Sequence, residues 1–276
     1  MTVASSSVQE SAINWNHAWQ LARRKKTTKS NGPTYWNHRA PSFADHTRKS
    51  EYSRKFMQVL AAQKHWSVLD VGCGAGTLAI PLASKVRRVT AIDFSEVMIG
   101  LLRKRCAELD LSNVNTSVVA WEDDWQDAGI MQHDVAIASR SLTVEDLGAA
   151  LLKLDRIARH RVVISSLVDD GPFDRRIFDA IGRELDRGPD YIYAYNLLHQ
   201  MGIYADVSFV VDTDRRKSFS SLDEAVAGYD WMIDNLTSEE KERLRSYLAS
   251  HLVRKGDGWT LDYQHVVRWA VISWSK

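Results

Sequence analysis

The chain has 276 residues, 45% of them hydrophobic, with 36 Lys and Arg against 35 Asp and Glu. That length buries a substantial core and suits one α/β domain with additions better than two independent domains. A net charge of +1 gives no general reason to expect nucleic acid as a partner, although local patches stay open, and two cysteines are too few for a disulfide framework.

From the amino terminus, residues 1–7 have neither a basic start nor an apolar stretch, and no segment is long enough to span a bilayer, so a cytoplasmic protein with no membrane contact is the default expectation. Residues 1–60 read as a helical extension carrying Trp15, Trp19, Tyr35, Trp36 and Phe43. Its run Arg23-Arg24-Lys25-Lys26, with Lys29, reads as a solvated helix end leading into a linker rather than a polyanion site.

Residues 67–71 form a short apolar run that breaks into Gly72-Cys73-Gly74-Ala75-Gly76. A buried parallel strand reads this way where a ligand approaches its carboxyl end, because glycine takes positive φ and carries no Cβ. A helix over 76–84 follows, with Pro81 in its first turns. A dinucleotide fingerprint would place its third glycine after two intervening residues, where this chain has Thr77, so a pyrophosphate ligand is disfavoured. A second β-branched run, 88–92, ends in Asp93, where a carboxylate accepts ribose hydroxyls; Asp93 and Ser95 also have the spacing of a cap for the next helix, 95–109. The pair points to a nucleoside cofactor.

Further strands are predicted at 115–120, 134–138 and 161–166, with a helix at 144–159. Strand and helix alternation calls for a doubly wound, Rossmann-like parallel sheet. Two more strands, 205–211 and 264–274, are separated by helices at 221–235 and 237–253. Cys106 falls on a helical stripe with Met98, Leu102 and Leu109 and reads as core; neither cysteine has a partner at ligand spacing, and no metal is expected. Arg140, after the fourth strand, reads either as a clamp for a substrate carboxylate or phosphate or as an ion-pair partner of Asp70 or Asp134. The aromatic residues Phe173, Phe178, Tyr191, Tyr193, Tyr195 and Tyr204 suggest an inserted lid over about 170–204, answering the aromatic amino-terminal segment.

The glycine-x-glycine-x-glycine spacing followed by Asp93 resembles the first motifs of class I S-adenosylmethionine-dependent methyltransferases, and Tyr35-Trp36-Asn37-His38-Arg39-Ala40 resembles the segment that closes over the cofactor in the small-molecule, type 11 and quinone-biosynthetic groups. The resemblance is specific over about 68–166. It implies a methyltransferase domain at 61–276 with a sheet of about seven strands, the last inserted antiparallel beside the fifth. It implies S-adenosylmethionine as methyl donor, S-adenosylhomocysteine as product, and a cofactor site formed by Asp70, Gly72, Cys73, Gly74, Gly76, Asp93, Phe94, Ser95, Met98, Trp121, Glu122, Asp123 and Ser139, with Glu122 or Asp123 meeting the adenine. Tyr35, Trp36, Arg140 and Tyr195 are the expected substrate contacts, and His38 and His199 the candidate bases. The expected acceptor is a small organic molecule, partly aromatic or apolar. Alternatives are another reaction of the same cofactor, methylation of a protein or RNA, and a silent binding module. The acceptor atom, pathway and oligomeric state stay open.

Overall fold

The computed structural model describes residues 13–28, 32–46, 51–212 and 218–276. Residues 1–7, Lys29 and the Phe43 side chain, all named above, lie outside the described part. Three helices precede the sheet: α1 (Trp15–Lys25), α2 (Pro33–His46) and α3 (Glu51–Leu60). Then follow β1 (Ser67–Val71), α4 (Ala79–Ala83), β2 (Arg88–Asp93), α5 (Glu96–Glu108), β3 (Val114–Val118), β4 (His133–Ser139), α6 (Leu147–Ile157) and β5 (Ala158–Leu167). The remainder comprises α7 (Arg175–Ile181), α8 (Tyr191–Gln200), β6 (Asp206–Asp212), α9 (Leu222–Ala227), a 3₁₀ turn at Asp230–Met232, α10 (Ser238–His251), a hairpin of β7 (Leu252–Lys255) with β8 (Gly258–Leu261), and β9 (Val267–Ser275).

The main sheet has seven strands in the order β3-β2-β1-β4-β5-β9-β6. Every pair from β3 to β5 is parallel, while β9 runs antiparallel to both β5 and β6, with Ile164 opposite Ile272. The last strand therefore inserts antiparallel beside the fifth, and the fold is a doubly wound, Rossmann-like sheet. Alternation along the strands feeds two cores. Leu69, Val71, Ala136, Val162 and Ile164 face α1, α6 and α8; Val68, Val89, Val135, Ile137 and Val163 face α3, α4 and α5.

Element boundaries shift where non-local contacts or turn geometry override local signals. Gly72, Gly74 and Gly76 all have positive φ, so the turn uses residues assigned to helix and α4 starts only at Ala79. The helix predicted over 221–235 breaks after Ala227 into the 3₁₀ turn, and the end of the one predicted over 237–253 becomes a strand of the β7–β8 hairpin. Leu109 is 54% exposed, outside the stripe that buries Met98, Leu102 and Cys106.

The segment 170–204 does not form one lid. Phe173 and Phe178 belong to a third core built with α7, α9 and α10, whereas α8 packs Tyr191 and Tyr193 on the main core, Tyr193 meeting Trp15 at 5.8 Å and Trp19 at 6.4 Å. Tyr204 is 82% exposed. The basic run on α1 is partly absorbed as well: Arg23 approaches Glu145 at 3.8 Å, and burial pulls the Lys26 ammonium down to about 8.

Candidate active site

At the carboxyl edge of the sheet, the ends of β1, β2 and β4 open into a cleft enclosing about 820 Å³, the solvent at its mouth included. Asp70, Gly72, Cys73 and Gly74 form its floor; Asp93, Phe94 and Met98 line one side; Val119 and Trp121 lie beyond them; Ser139, Arg140, Ser141 and Thr143 close the far end, and Trp36 reaches in from α2. Most of the expected cofactor residues are thus brought together, and Leu78, Val119, Ser141 and Thr143 join them without having been singled out in the sequence, as does Thr77, named there only for its spacing.

The glycine turn is held from several sides. The N–H groups of Gly72 and Cys73 donate to the Ile92 carbonyl at 2.8 and 3.0 Å, and Arg105 on α5 donates to the Ala75 carbonyl at 2.7 Å. Gly72 has φ +69°, and a Cβ there would collide with the Ser141 side chain, whose hydroxyl donates to the Val71 carbonyl at 2.7 Å. Glycine is required here on both counts.

Asp93 joins the turn to the next helix. Its Oδ2 accepts from the Gly74 N–H and its Oδ1 from the Ser95 N–H, each at 2.9 Å. Burial raises its pKa, opposed by those two backbone donors. Each carboxylate oxygen keeps a second acceptor site, so the structural and ligand-binding roles coexist on one side chain. Capping falls to Ser95, which accepts from the Met98 N–H at 3.1 Å and donates to Asn37 Oδ1 at 2.6 Å. That bond ties α2 to α5, and Ala40 packs on Ala75 and Met98 beside Trp36.

Asp70 is 2% exposed, and its Oδ2 has no hydrogen-bond partner among the described residues. Burial, then the charge of Asp93, pushes its carboxyl up to about 7 against the pull of the Ala79 N–H. A buried carboxylate oxygen without a protein donor is expensive and matches a cationic ligand group. Burial also drives the Cys73 thiol well above its ordinary range, which makes it an inert wall rather than a nucleophile.

Arg140 has φ +58°, an uncommon conformation for a side chain this bulky and one concentrated at functional sites. Its N–H donates to Ser165 Oγ at 3.0 Å, and its guanidinium lies 4.4 Å from the Tyr52 ring centroid and 5.5 Å from that of Trp269. It lies against these rings, and among the described residues no ion pair joins it to Asp70 or Asp134. Tyr52, fully buried on α3, hydrogen-bonds Ser139 and Ser165 at 2.7 and 2.6 Å and so fixes the end of β4 from below. Nothing local in the sequence marks Tyr52; its role depends on the packing of α3 under the sheet.

Several expected site residues stand apart from the cleft walls. Gly76 is a packing glycine against Leu102 and Ile80. Glu122 and Asp123 are exposed, and Asp123 accepts from the Ala120 N–H at 2.8 Å, shaping its own loop. Trp121 instead takes the wall, held by its Nε1–H to the Ser141 carbonyl at 3.0 Å. Tyr35 faces the third core, donating to the Trp231 carbonyl at 3.0 Å and accepting from Arg39, whose guanidinium lies 4.3 Å from the Trp231 ring centroid. His38 is an exposed residue of α2. Tyr195 is 38% exposed on α8, and His199, on the same helix, meets only Tyr204 edge-on at 5.6 Å among the rings described. Neither histidine lines the cleft, so the two candidate bases are not where proton transfer would need them.

Residues 68–161 match the family model described as a methyltransferase domain. An uncharacterised protein of Haemophilus influenzae is 33% identical over 217 residues, spanning 78% of this chain and 80% of its own length. A demethylmenaquinone methyltransferase of Listeria monocytogenes is 38% identical over 67 residues, 23% of this chain and 28% of that protein. Among solved structures, the YcgJ protein of Bacillus subtilis superposes with a TM-score of 0.53 at 12% identity, over 82% of this chain and 98% of its own.

Proposed function

Because the chain belongs to the class I S-adenosylmethionine-dependent methyltransferases, we propose that its cleft methylates a small organic acceptor with an apolar or aromatic body and an anionic group. The observation that carries this reading is the far wall of the cleft, where Arg140 lies at the end of β4 between the Tyr52 and Trp269 rings, with Trp36 and Trp121 on the same walls. An arginine so placed binds a carboxylate or phosphate in a fixed plane, and the two indoles offer flat apolar surface to the rest of the molecule. A short alignment with a methyltransferase acting on a quinone precursor is in keeping with a flat acceptor.

The residues present fit the cofactor. The Gly72 turn leaves room that a Cβ would fill, Asp93 keeps acceptor sites for two ribose hydroxyls, and the partnerless Asp70 oxygen suits the cationic methionine end. Phe94, Met98, Val119 and Trp121 would bracket the adenine in place of Glu122 or Asp123. When bound, S-adenosylmethionine supplies a methyl group already activated by its sulfonium. What the chain adds is alignment and exclusion of water: Trp36 covers the cleft from α2, and the Tyr52–Ser139–Ser165 hydrogen bonds keep the β4 end rigid.

The test is product analysis. Incubation with S-adenosylmethionine and a panel of aromatic carboxylic acids and their neutral amides is expected to release S-adenosylhomocysteine together with a methylated acid. Arg140→Met is expected to lose the preference for acids over amides while cofactor affinity holds. Equal turnover of acids and amides by the wild type would overturn the anionic acceptor.

A further inference from the structure

The opposite, amino-terminal edge of the sheet carries a charge distribution that methyl transfer does not use. The net charge of the whole chain is +1, yet cations from three separate segments converge here. Arg88 begins β2 and pairs in register with Ser67 at the start of β1, and the Arg87 N–H donates to the Trp66 carbonyl at 2.9 Å. Arg159 and Arg161 enter on β5, with Arg161 opposite Ser275, and the Lys276 N–H donates to the His160 carbonyl at 2.9 Å.

One carboxylate organises the centre of this edge. Asp134, 8% exposed, accepts from the Ser67 N–H and hydroxyl at 2.7 and 2.8 Å. Around it stand Arg87 at 3.8 Å, Arg159 at 3.9 Å and His160 at 3.7 Å, whose side chains remain 64%, 52% and 57% exposed. A single negative charge thus holds two guanidiniums and an imidazole in place without neutralising them, and their outer faces point to solvent. Beside them, Gln63, His65, Trp66, His160, Arg161 and Ser275 line an open concavity. His160 stacks on Trp66 at 6.2 Å, and the buried Nε–H of Arg161 has no hydrogen-bond partner among the described residues.

We propose that this edge is a docking surface for the phosphodiester backbone of a nucleic acid. The arginines span four adjacent strands, β2-β1-β4-β5, about 14 Å at the usual strand spacing, and Lys276 beyond β9 is held by Asp155. Over that distance one strand of a duplex presents about four phosphates. Guanidinium and imidazole donors in a concave site suit phosphate oxygens. The surface has no exposed apolar side chain among the residues named, which a lipid partner would need for insertion. The five residues of β1 put about 16 Å between this edge and the cleft. The docked strand therefore is not the methyl acceptor, and the proposal stands independently of the acceptor assigned above.

The test uses a fluorescein-labelled duplex DNA and the full chain, with fluorescence anisotropy over a salt series. The wild type is expected to bind at low salt with affinity falling steeply as salt rises. Arg87→Gln/Arg88→Gln/Arg159→Gln is expected to flatten the log–log salt slope by about 2.7, three contacts at about 0.9 each. Arg24→Gln/Lys25→Gln, which removes charge from α1 instead, is expected to leave the slope alone. Unchanged S-adenosylhomocysteine affinity in both variants reports that they are folded. The proposal is overturned if the triple variant keeps the wild-type slope, if polyglutamate competes as well as unlabelled DNA at equal charge, or if vesicles rich in anionic lipid bind while DNA does not.

Discussion

Two buried aspartates sit at opposite ends of the same pair of strands and behave in opposite ways. Asp134, at the entry of β4, receives two hydrogen bonds from Ser67 and is ringed by Arg159, His160 and Arg87. Burial works against its charge, but the Ser67 donors together with the cations outweigh burial and hold its carboxyl below the ordinary value. Asp70, near the exit of β1, keeps an oxygen with no donor among the described residues and is raised to about 7. Burial alone thus does not tell a structural carboxylate from a functional one; the supply of donors does. The acid whose donors are supplied organises the residues around it, and the acid left wanting lines the cleft.

The largest effect is expected at the satisfied end. Asp134→Ala strands the Ser67 N–H and sets Arg87 and Arg159 against each other, and should cost about 3 kcal/mol in chemical denaturation at neutral pH. Because the Asp134 pKa is lowered in the fold, its contribution is present above the ordinary carboxylate range and disappears as acid protonates it, so the deficit should shrink towards low pH. A loss that stays constant into acid would mean that packing, not charge, is what Asp134 provides. Gly72→Ala comes next, at about 2 kcal/mol, because positive φ and the collision with Ser141 act together. Tm and far-UV circular dichroism would record it.

Asp70→Asn should have the reverse sign. The folded Asp70 carboxyl titrates at about 7 against an ordinary 3.8, so the fold holds a proton that the unfolded chain has released, and stability falls as pH rises between those values. The amide removes that penalty, and the ligand-free variant should gain on the order of 2 kcal/mol above pH 7 and nothing below about pH 4. Denaturation midpoints at both pH values check it. The smallest effect is assigned to Glu122→Gln: an exposed side chain outside the cleft walls should change cofactor affinity by less than about twofold.

The glycine turn, Asp93 and the strands β1 to β5 were legible in the sequence because each rests on local signals: apolar runs, positive-φ glycines and a carboxylate at a strand end. The final strand's antiparallel insertion came from family resemblance rather than from any residue pattern. What escaped was set by contacts across the fold. Tyr52 lies 87 residues from Ser139 and 113 from Ser165, so nothing in its neighbourhood announces those bonds. Of the α8 aromatics expected in a lid, Tyr193 instead meets Trp15 and Trp19, and Tyr191 meets Phe209. The acids at 122–123 follow the right strand yet turn to solvent, leaving Trp121 as the wall. The basic run on α1 was visible as a run, whereas the cations around Asp134 come from segments far apart and only the sheet assembles them.

The most direct test of the contrast between the two aspartates is calorimetric titration of S-adenosylmethionine into the wild type and Asp70→Asn from pH 6 to 8. A cationic ligand requires the ionised carboxylate, so the wild type should release a proton on binding below pH 7 and lose affinity by up to about tenfold per pH unit there. Asp70→Asn should bind at least about tenfold more weakly at pH 8, with no proton release. Equal affinity of the two proteins at pH 8, or a wild-type affinity flat across pH 7, would contradict the assignment of Asp70 as the group that the cleft holds in reserve for its ligand.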